Sequence, residues 1–407
     1  MPNDFIPGFE EDKLVDIKII GVGGAGGNAV DCMIETGIDG VEYIAINTDR
    51  QALDKSQAPT TLQIGAKITK GRGAGTIPER AKEAAVESKE EIQALLKNTT
   101  MLFIAAGEGG GTGTGASPVI AEIAKEMGIL IVAVVTLPFS FEGAVKKRQA
   151  EKGIEELRKY VDSLIVIPND NLRQLNKETK VSFKDGFKNA DKILTGAVKS
   201  IADLVAGKGY VNVDFADVEM TLKNAGICHL TIGTGTGKDK VKEAVESVIT
   251  NPLLTTSING AKRVLINICL SDDISFEEVS EFIDEITEKC DEEAVIKWGA
   301  IIDEEGIMQD RMEVTVITAG YEDAPEEEKI IKINNPALSG QKSPTSSITR
   351  TPRPAVTPLN NVPTSPKPTP PILEKPLAKT TDSAPPPRPK SGNPEINDLF
   401  NELFGDD

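Results

Sequence analysis

Short apolar runs along the chain alternate with stretches in which apolar positions recur every three or four residues. From Val15 to about Ile167 the runs read VDIKIIGV, VEYIAINT, MLFIAAG, ILIVAVVTL and SLIVIP, and each meets Gly, Thr, Asn or Pro at its end. Amphipathic segments such as PERAKEAAVESKEEIQALLK lie between them. Strands apolar on both faces and separated by helices predict a parallel sheet covered on both sides. Ligands of such sheets sit at the carboxyl ends of the strands. A long helical pattern, roughly Phe183 to Val205, then leads into GKGYVNVDFADV. Beyond it the texture changes to ICHLTIGTGTG, RVLINICLS, AVIKWGAIID and RMEVTVITAG, with helices between the first three and a turn before the last. This predicts a second, smaller α/β domain, with the long helix joining the two.

From about Ile333 the pattern lapses. Residues 334–392 are rich in Pro, Ser and Thr and carry eight Lys or Arg against two acids. Such a segment cannot offset its ordering entropy and is expected to be a disordered linker. The closing PEINDLFNELFGDD restores helical spacing at Ile396, Leu399, Phe400, Leu403 and Phe404. It is too short to fold alone, so a partner-docking helix is expected.

Charge and composition narrow the function. A formal net charge of −18 over 407 residues argues against a general nucleic-acid binder, which gains affinity by neutralising phosphates. No apolar run approaches the ~18 residues of a membrane span, and the acidic start MPNDFIPGFEEDK has no signal-peptide pattern. Cys32, Cys228, Cys269 and Cys290 are scattered, and His229 is the single histidine. Neither a disulfide framework, a His-based zinc site nor a His triad is expected, and a reduced, cytoplasmic, soluble protein is.

Glycine placement carries the chemistry. GVGGAGGNA, Gly21 to Ala29, follows a strand, opens a helix and fits G-x-G-x-x-G through Gly21, Gly23 and Gly26. That pattern sets backbone N–H groups and a positive helix end against phosphate. NTD, Asn47 to Asp49, reads equally as a strand-end Asx turn. GRGAGTIPE, Gly71 to Glu79, approaches a helix with Pro78 near its start. GEGGGTGTG, Gly107 to Gly115, holds six glycines in nine positions before a helix expected to begin near Ala116. Its amides can line a concavity for phosphate, with the Thr112 and Thr114 hydroxyls adding donors. Two Gly-rich turns feeding helices of one sheet indicate a polyphosphate ligand. No Walker P-loop is present, and GTGTG at Gly233–Gly237 reads as a structural turn.

GGGTGTG at Gly109–Gly115 resembles the signature of the tubulin/FtsZ superfamily of GTPases. GVGGAGGNAV, NTD, GRGAG with PE, FSFEG, IPND and NVDFADV occur in the order found in its bacterial cell-division branch. The resemblance covers about residues 14–320. It implies a Rossmann-like parallel-sheet GTPase domain over 14–182 after a flexible N-terminus at 1–13. A connecting helix at 183–206, a C-terminal α/β domain at 207–325, a disordered linker at 326–392 and a partner-binding peptide at 393–407 would follow. It further implies GTP and GDP as ligands, Mg2+ held by phosphates and water with no protein metal ligand, and potassium as a further candidate ion. The partners would be further copies of the chain in head-to-tail protofilaments, and membrane-anchoring division proteins such as an actin-like tether bound by residues 395–407. The place would be the cytoplasmic face of the membrane at mid-cell.

Roles follow from the same resemblance, position by position. Gly23, Gly24 and Asn28 would contact the nucleotide, Thr48 would lie near sugar and phosphates, and Ala74 and Gly75 would flank the γ-phosphate. Gly110, Gly111, Thr112, Gly113 and Thr114 would cradle the phosphates. Glu142 matches a ribose-binding glutamate. Where the family carries an arginine four residues later this chain has Lys146, and the nearest arginine is Arg148. Asn169 would contact sugar or base, Phe187 would stack on the purine, and Asp191 would accept from guanine N1–H and the exocyclic amine. Taken alone, Phe187 also reads as ordinary helix packing and Asp191 as a solvated helix residue. Asn212, Asp214 and Asp217 would complete a neighbour's site and act on the attacking water. Without the resemblance, Asp214 reads as an N-cap and Asp217 as a first-turn charge. Two rival readings are an NAD-dependent oxidoreductase, which leaves the second Gly-rich loop and NVDFADV without purpose, and a scaffold that binds GTP without cleaving it.

Overall fold

Alternation within the apolar runs decides which helices each strand face meets. The computed structural model describes residues 15–175, 183–205, 209–251, 258–271, 274–303 and 310–321. Its first six strands are β1 (Ile17–Val22), β2 (Val41–Asn47), β3 (Thr60–Gln63), β4 (Met101–Gly107), β5 (Leu130–Leu137) and β6 (Ser163–Pro168). Four more follow: β7 (Gly226–Thr236), β8 (Arg263–Ser271), β9 (Val295–Asp303) and β10 (Arg311–Ala319). They form one sheet in the order β3-β2-β1-β4-β5-β6-β7-β10-β8-β9. The first six are all parallel, the doubly wound arrangement that the sequence predicts.

The expected second domain shares this sheet. β7 runs parallel to β6 from Ser163↔Gly226 to Ile165↔Cys228, and then pairs antiparallel with β10. β10 is antiparallel to β8, and β8 is parallel to β9.

Helices cover both faces of the parallel part. They are α1 (Gly23–Thr36), α2 (Arg50–Leu53), α3 (Ala66–Thr69), α4 (Pro78–Glu87), α5 (Lys89–Leu95), α6 (Thr112–Glu126), α7 (Ala144–Leu157) and α8 (Asn169–Leu175). The long helix is α9 (Phe183–Val205), followed by α10 (Phe215–Leu222), α11 (Lys240–Ile249) and α12 (Phe276–Thr287). Ile17, Ile19, Phe103 and Ala105 pack with Val30 and Met33 of α1 and Leu194, Val198 and Ile201 of α9. The alternate residues Ile20, Val22, Leu102 and Ile104 pack on the other face with Ala84, Ile120 and Ile154 of α4, α6 and α7. Each fully buried aliphatic side chain of this kind stabilises the fold by about 1.5–3 kcal/mol. Phe282 and Ile286 of α12 join Val245 and Val248 of α11 in a third cluster over β8 and β10.

Three local differences from the sequence reading have physical causes. The helical stretch after Pro78 breaks at Ser88, whose hydroxyl accepts from the Gly65 amide at 3.2 Å. β3, TTLQ, is short and only partly buried, so it lacks the apolar signature of its neighbours. α6 begins at Thr112, ahead of Ala116, because its glycines seat the first turn against other backbone: a Cβ on Gly115 would lie 2.0 Å from the Pro78 carbonyl oxygen. The linker and terminal-peptide expectations at 326–407 and the expected N-terminus at 1–13 lie outside the described residues.

Candidate functional site

Strand order reverses between β1 and β4, and at such a switch point the outgoing connections diverge and leave a crevice at the carboxyl ends. Both Gly-rich turns meet there. A Cβ on Gly26 would lie 2.3 Å from the Ala105 carbonyl oxygen, and one on Gly113 would lie 2.5 Å from that of Gly107. The loops also touch each other, for a Cβ on Gly23, whose φ is +75°, would come within 2.9 Å of the Gly113 amide nitrogen. The bare backbone of these sequences is therefore required by close packing of two helix entries on two adjacent strands.

A cavity of about 300 Å³ opens over these loops. Gly24, Asn28, Gly110, Gly111, Thr112 and Gly113 form one side, where the amides and positive ends of α1 and α6 lie. Glu142, Lys146, Asn169, Phe187 and Asp191 form the other. A neighbouring depression, also about 300 Å³, is lined by Gly23, Gly24, Asn28 and Asn47. A roomier cavity, about 610 Å³, lies between α4, α6 and α7, behind the loop, and meets neither Gly24 nor Asp191.

Several predicted residues act on one another. The Thr48 hydroxyl is fully buried and lies 2.7 Å from the Thr112 hydroxyl, tying the turn after β2 to the second Gly-rich loop. Asn47 accepts from the Asp49 amide at 3.1 Å and Asp49 caps α2, so the Asx-turn reading of NTD describes its local geometry. Ala74 is buried against Gly111, while Gly75 is exposed with φ +65°. Thr114 is buried away from the cavity, and its hydroxyl accepts from the Gly109 amide at 2.8 Å, holding the loop closed.

On the opposite wall, Glu142 accepts from the Phe139 amide at 2.9 Å and from Lys146 Nζ at 2.8 Å. Lys146 lines the cavity; Arg148 is exposed and does not. Asn169 is buried, and among the described residues its Oδ1 finds no hydrogen-bond partner. A buried orphan acceptor on a cavity wall suits a ligand donor. Phe187 meets Phe139 edge-on at 5.2 Å, and Phe139 stacks on Phe141 at 5.0 Å. Asp191, one helical turn on from Phe187 and on the same face, is pushed up to about 6 by burial.

The predicted catalytic residues stand elsewhere. From Asp191 to Val205, α9 runs on for fourteen residues, about 21 Å at a rise of 1.5 Å per residue. Val213 packs beside its far end, where both Val213 and Leu204 crowd the space over Gly299. Asn212 is exposed and accepts from the Gly209 amide at 2.7 Å. Asp214 is the exposed N-cap of α10, with no side-chain capping bond. The Asp217 carboxylate sits 2.9 Å from Lys297 Nζ of β9. That ion pair joins residues 80 positions apart, beyond the reach of local sequence reading.

Two Gly-rich helix entries at a switch point, facing an acid and an aromatic ring across a cavity, define a nucleotide-binding α/β protein. The chain matches the GTPase domain of the Tubulin/FtsZ family over residues 16–177 and the FtsZ C-terminal domain over 226–322. It belongs to the tubulin/FtsZ family. An empty FtsZ dimer from M. jannaschii is 38% identical with a TM-score of 0.74, over 84% of this chain and 96% of that one. An FtsZ mutant from the same organism is 41% identical with a TM-score of 0.72, over 75% and 91%. CetZ2 from Haloferax volcanii, 20% identical with a TM-score of 0.64 over 80% and 98%, shares the fold. The protein is accordingly a GTPase, a GTP-dependent polymerising cytoskeletal protein of cell division, in a family that assembles head to tail. Among the described residues no helix is long and apolar enough to cross a membrane.

Proposed function

We propose that each GTP is bound by one copy of the chain and cleaved with the carboxylates of the next. One observation carries this reading: Asp191 walls the cavity, whereas Asp214 and Asp217 follow the far end of α9, which runs on about 21 Å from Asp191 to Val205. Within one chain they cannot act on the same phosphate. In a head-to-tail stack the far end of one copy meets the cavity of its neighbour, and a heterologous contact that does not close continues as a filament.

In this reading the Gly110–Thr112 amides and the α6 terminus hold the phosphates, Glu142 and Asn169 hold the sugar, and Phe187 and Asp191 hold guanine. Asn212, Asp214 and Asp217 of the neighbour orient and polarise a water. The water oxygen bonds to the γ-phosphorus as the bond from that phosphorus to the β–γ bridging oxygen breaks. GDP leaves with the electron pair; one water proton stays on the inorganic phosphate and the other is released. Magnesium would be held by phosphate oxygens and water. Bound there, it supplies neutralisation of phosphate charge. The terminal peptide at 395–407 would dock on a membrane-anchoring division protein and place the filament beneath the membrane at mid-cell.

Phosphate release measured at rising protein concentration, alongside light scattering with and without GTP, tests the reading. Turnover per molecule is expected to rise cooperatively with scattering. Equal turnover per molecule in dilute, unassembled protein would remove the shared site.

Lys297 gives a finer expectation. By holding one oxygen of Asp217 it leaves the other free to face the neighbour. Lys297→Met is expected to lower kcat about tenfold with GTP affinity unchanged, since small misplacements of a positioned group are costly, and Lys297→Arg to restore it. An unchanged kcat in the methionine variant would leave the ion pair a surface contact only.

A further inference from the structure

Glu108 is the acid inside the second Gly-rich loop, and none of the roles above uses it. Its side chain is buried, at 4% exposure, and among the described residues neither carboxyl oxygen makes a well-formed hydrogen bond. The carboxyl lies where the loop, α6 and α7 converge. A Cβ on Gly153 of α7 would sit 2.3 Å from Glu108 Oε2 and 2.5 Å from Thr114 Cγ2, so α7 is bare of a side chain where the acid lodges. The backbone around it is fixed: the Glu108 amide donates to the Thr136 carbonyl at 2.9 Å and the Gly109 amide to the Thr114 hydroxyl at 2.8 Å. Gly109 itself packs on α7, for a Cβ there would meet the Lys146 carbonyl oxygen at 2.7 Å.

We propose that Glu108 is a proton-holding positioning residue: uncharged, it wedges the phosphate loop against α7, and it must carry its proton for the triphosphate to bind. This rests on the reading of that loop as the triphosphate site. An ionised carboxylate there would have to be stabilised by the same amides and helix end that serve the phosphates, and would set like charge beside them. Burial pushes Glu108 up to about 8, with the Thr114 hydroxyl drawing it partly back. Among the described residues, burial and the Thr114 hydroxyl alone act on its charge, and no cation on the packed elements holds it ionised. Lys146 of α7 is engaged by Glu142 at 2.8 Å. Lys152 and Glu156 of α7, with Glu122 of α6, line the cavity beyond Gly153, β5 offers only Thr136, and Asp191 of α9 is a further negative charge across the nucleotide cavity.

The sign follows from linkage. Binding favours the protonated form, so affinity is full below 8 and falls as pH rises through and above it, by about tenfold per pH unit. The test is calorimetric titration of the full-length protein with GTP from pH 7 to 9.5, below the concentration at which scattering rises, in buffers of differing ionisation enthalpy. Above pH 8 the wild type is expected to take up close to one proton per GTP more than Glu108→Gln does. Ionisation of GTP itself is common to both proteins and cancels in the ratio of their affinities, which should change about tenfold between pH 8.5 and 9.5. Should the amide not be tolerated in the site, Glu108→Met serves the same comparison. A constant ratio, or wild-type proton uptake no greater than that of Glu108→Gln, overturns the proposal. Gly113→Val separates the two claims: if it binds GTP as the wild type does, the loop is not the triphosphate site, whereas lost binding with a flat wild-type ratio refutes the proton alone.

Discussion

Asp214→Ala is expected to abolish steady-state GTP turnover, by about 100-fold or more, while leaving GTP affinity unchanged and much of the assembly intact. The magnitude is that of removing a group that activates a nucleophile or stabilises developing charge. The selectivity comes from position. Asp214 is exposed and makes no side-chain capping bond to α10, so its loss leaves no buried group unpaired and removes little helix stability. The nucleotide cavity lies at the other end of α9. Phosphate release, GTP titration and light scattering on one preparation read the three quantities separately. A mixing experiment is sharper still. Asp214→Ala retains an intact pocket, and Gly113→Val retains intact carboxylates. Half of the mixed contacts would pair a working pocket with working acids, so turnover should reappear when two inactive proteins are combined. Full activity in Asp214→Ala alone, or none in a co-assembling mixture, would refute the split site.

The place of Asp214 at a helix start was legible in the sequence, whereas the residue that holds its companion was not. NVDFADV announces two acids three apart at a helix start, a local pattern. Lys297, which grips Asp217, comes from β9, and only the folded sheet brings it there. The parallel strands were readable because Ile17 to Val22 and Met101 to Ala106 are buried on both faces, and Lys18 is the one charged residue among them. β3 was not, since an edge strand that is half-buried can be TTLQ. The same limit hid the continuity of the sheet. β7 meets β6 through only three residue pairs before turning its remaining length to β10, so the second domain is joined to the first through one shared strand. Glu108 is the instructive case. Nothing local in GEGGGTGTG marks its acid as buried, and that burial depends on Gly153, 45 positions later, having no side chain.

Asp191→Asn is expected to weaken GTP binding by about 10- to 100-fold and to improve binding of xanthosine triphosphate. Guanine presents two donors on one edge, N1–H and the exocyclic amine, and an ionised carboxylate accepts both. An asparagine accepts one and opposes the other with its own N–H donors, and a good bidentate pair to a base edge is worth about 1–3 kcal/mol. Xanthine carries a carbonyl oxygen where guanine has the amine, and so matches the amide. Competition titrations with GTP, ATP and xanthosine triphosphate check this, and unchanged preference in the variant would take Asp191 out of base recognition. Protonation offers a second readout on the same residue. With Asp191 pushed up to about 6 by burial, the ionised acceptor is available above that pH and is lost as pH falls through it. Wild-type affinity should therefore drop about tenfold per unit below 6, and the asparagine variant should lack that slope. Glu108 acts in the opposite sense above 8. One carboxyl must lose its proton to read the base and the other must keep its proton to admit the phosphates, so GTP affinity should be bell-shaped in pH. Each limb should vanish with its own amide variant.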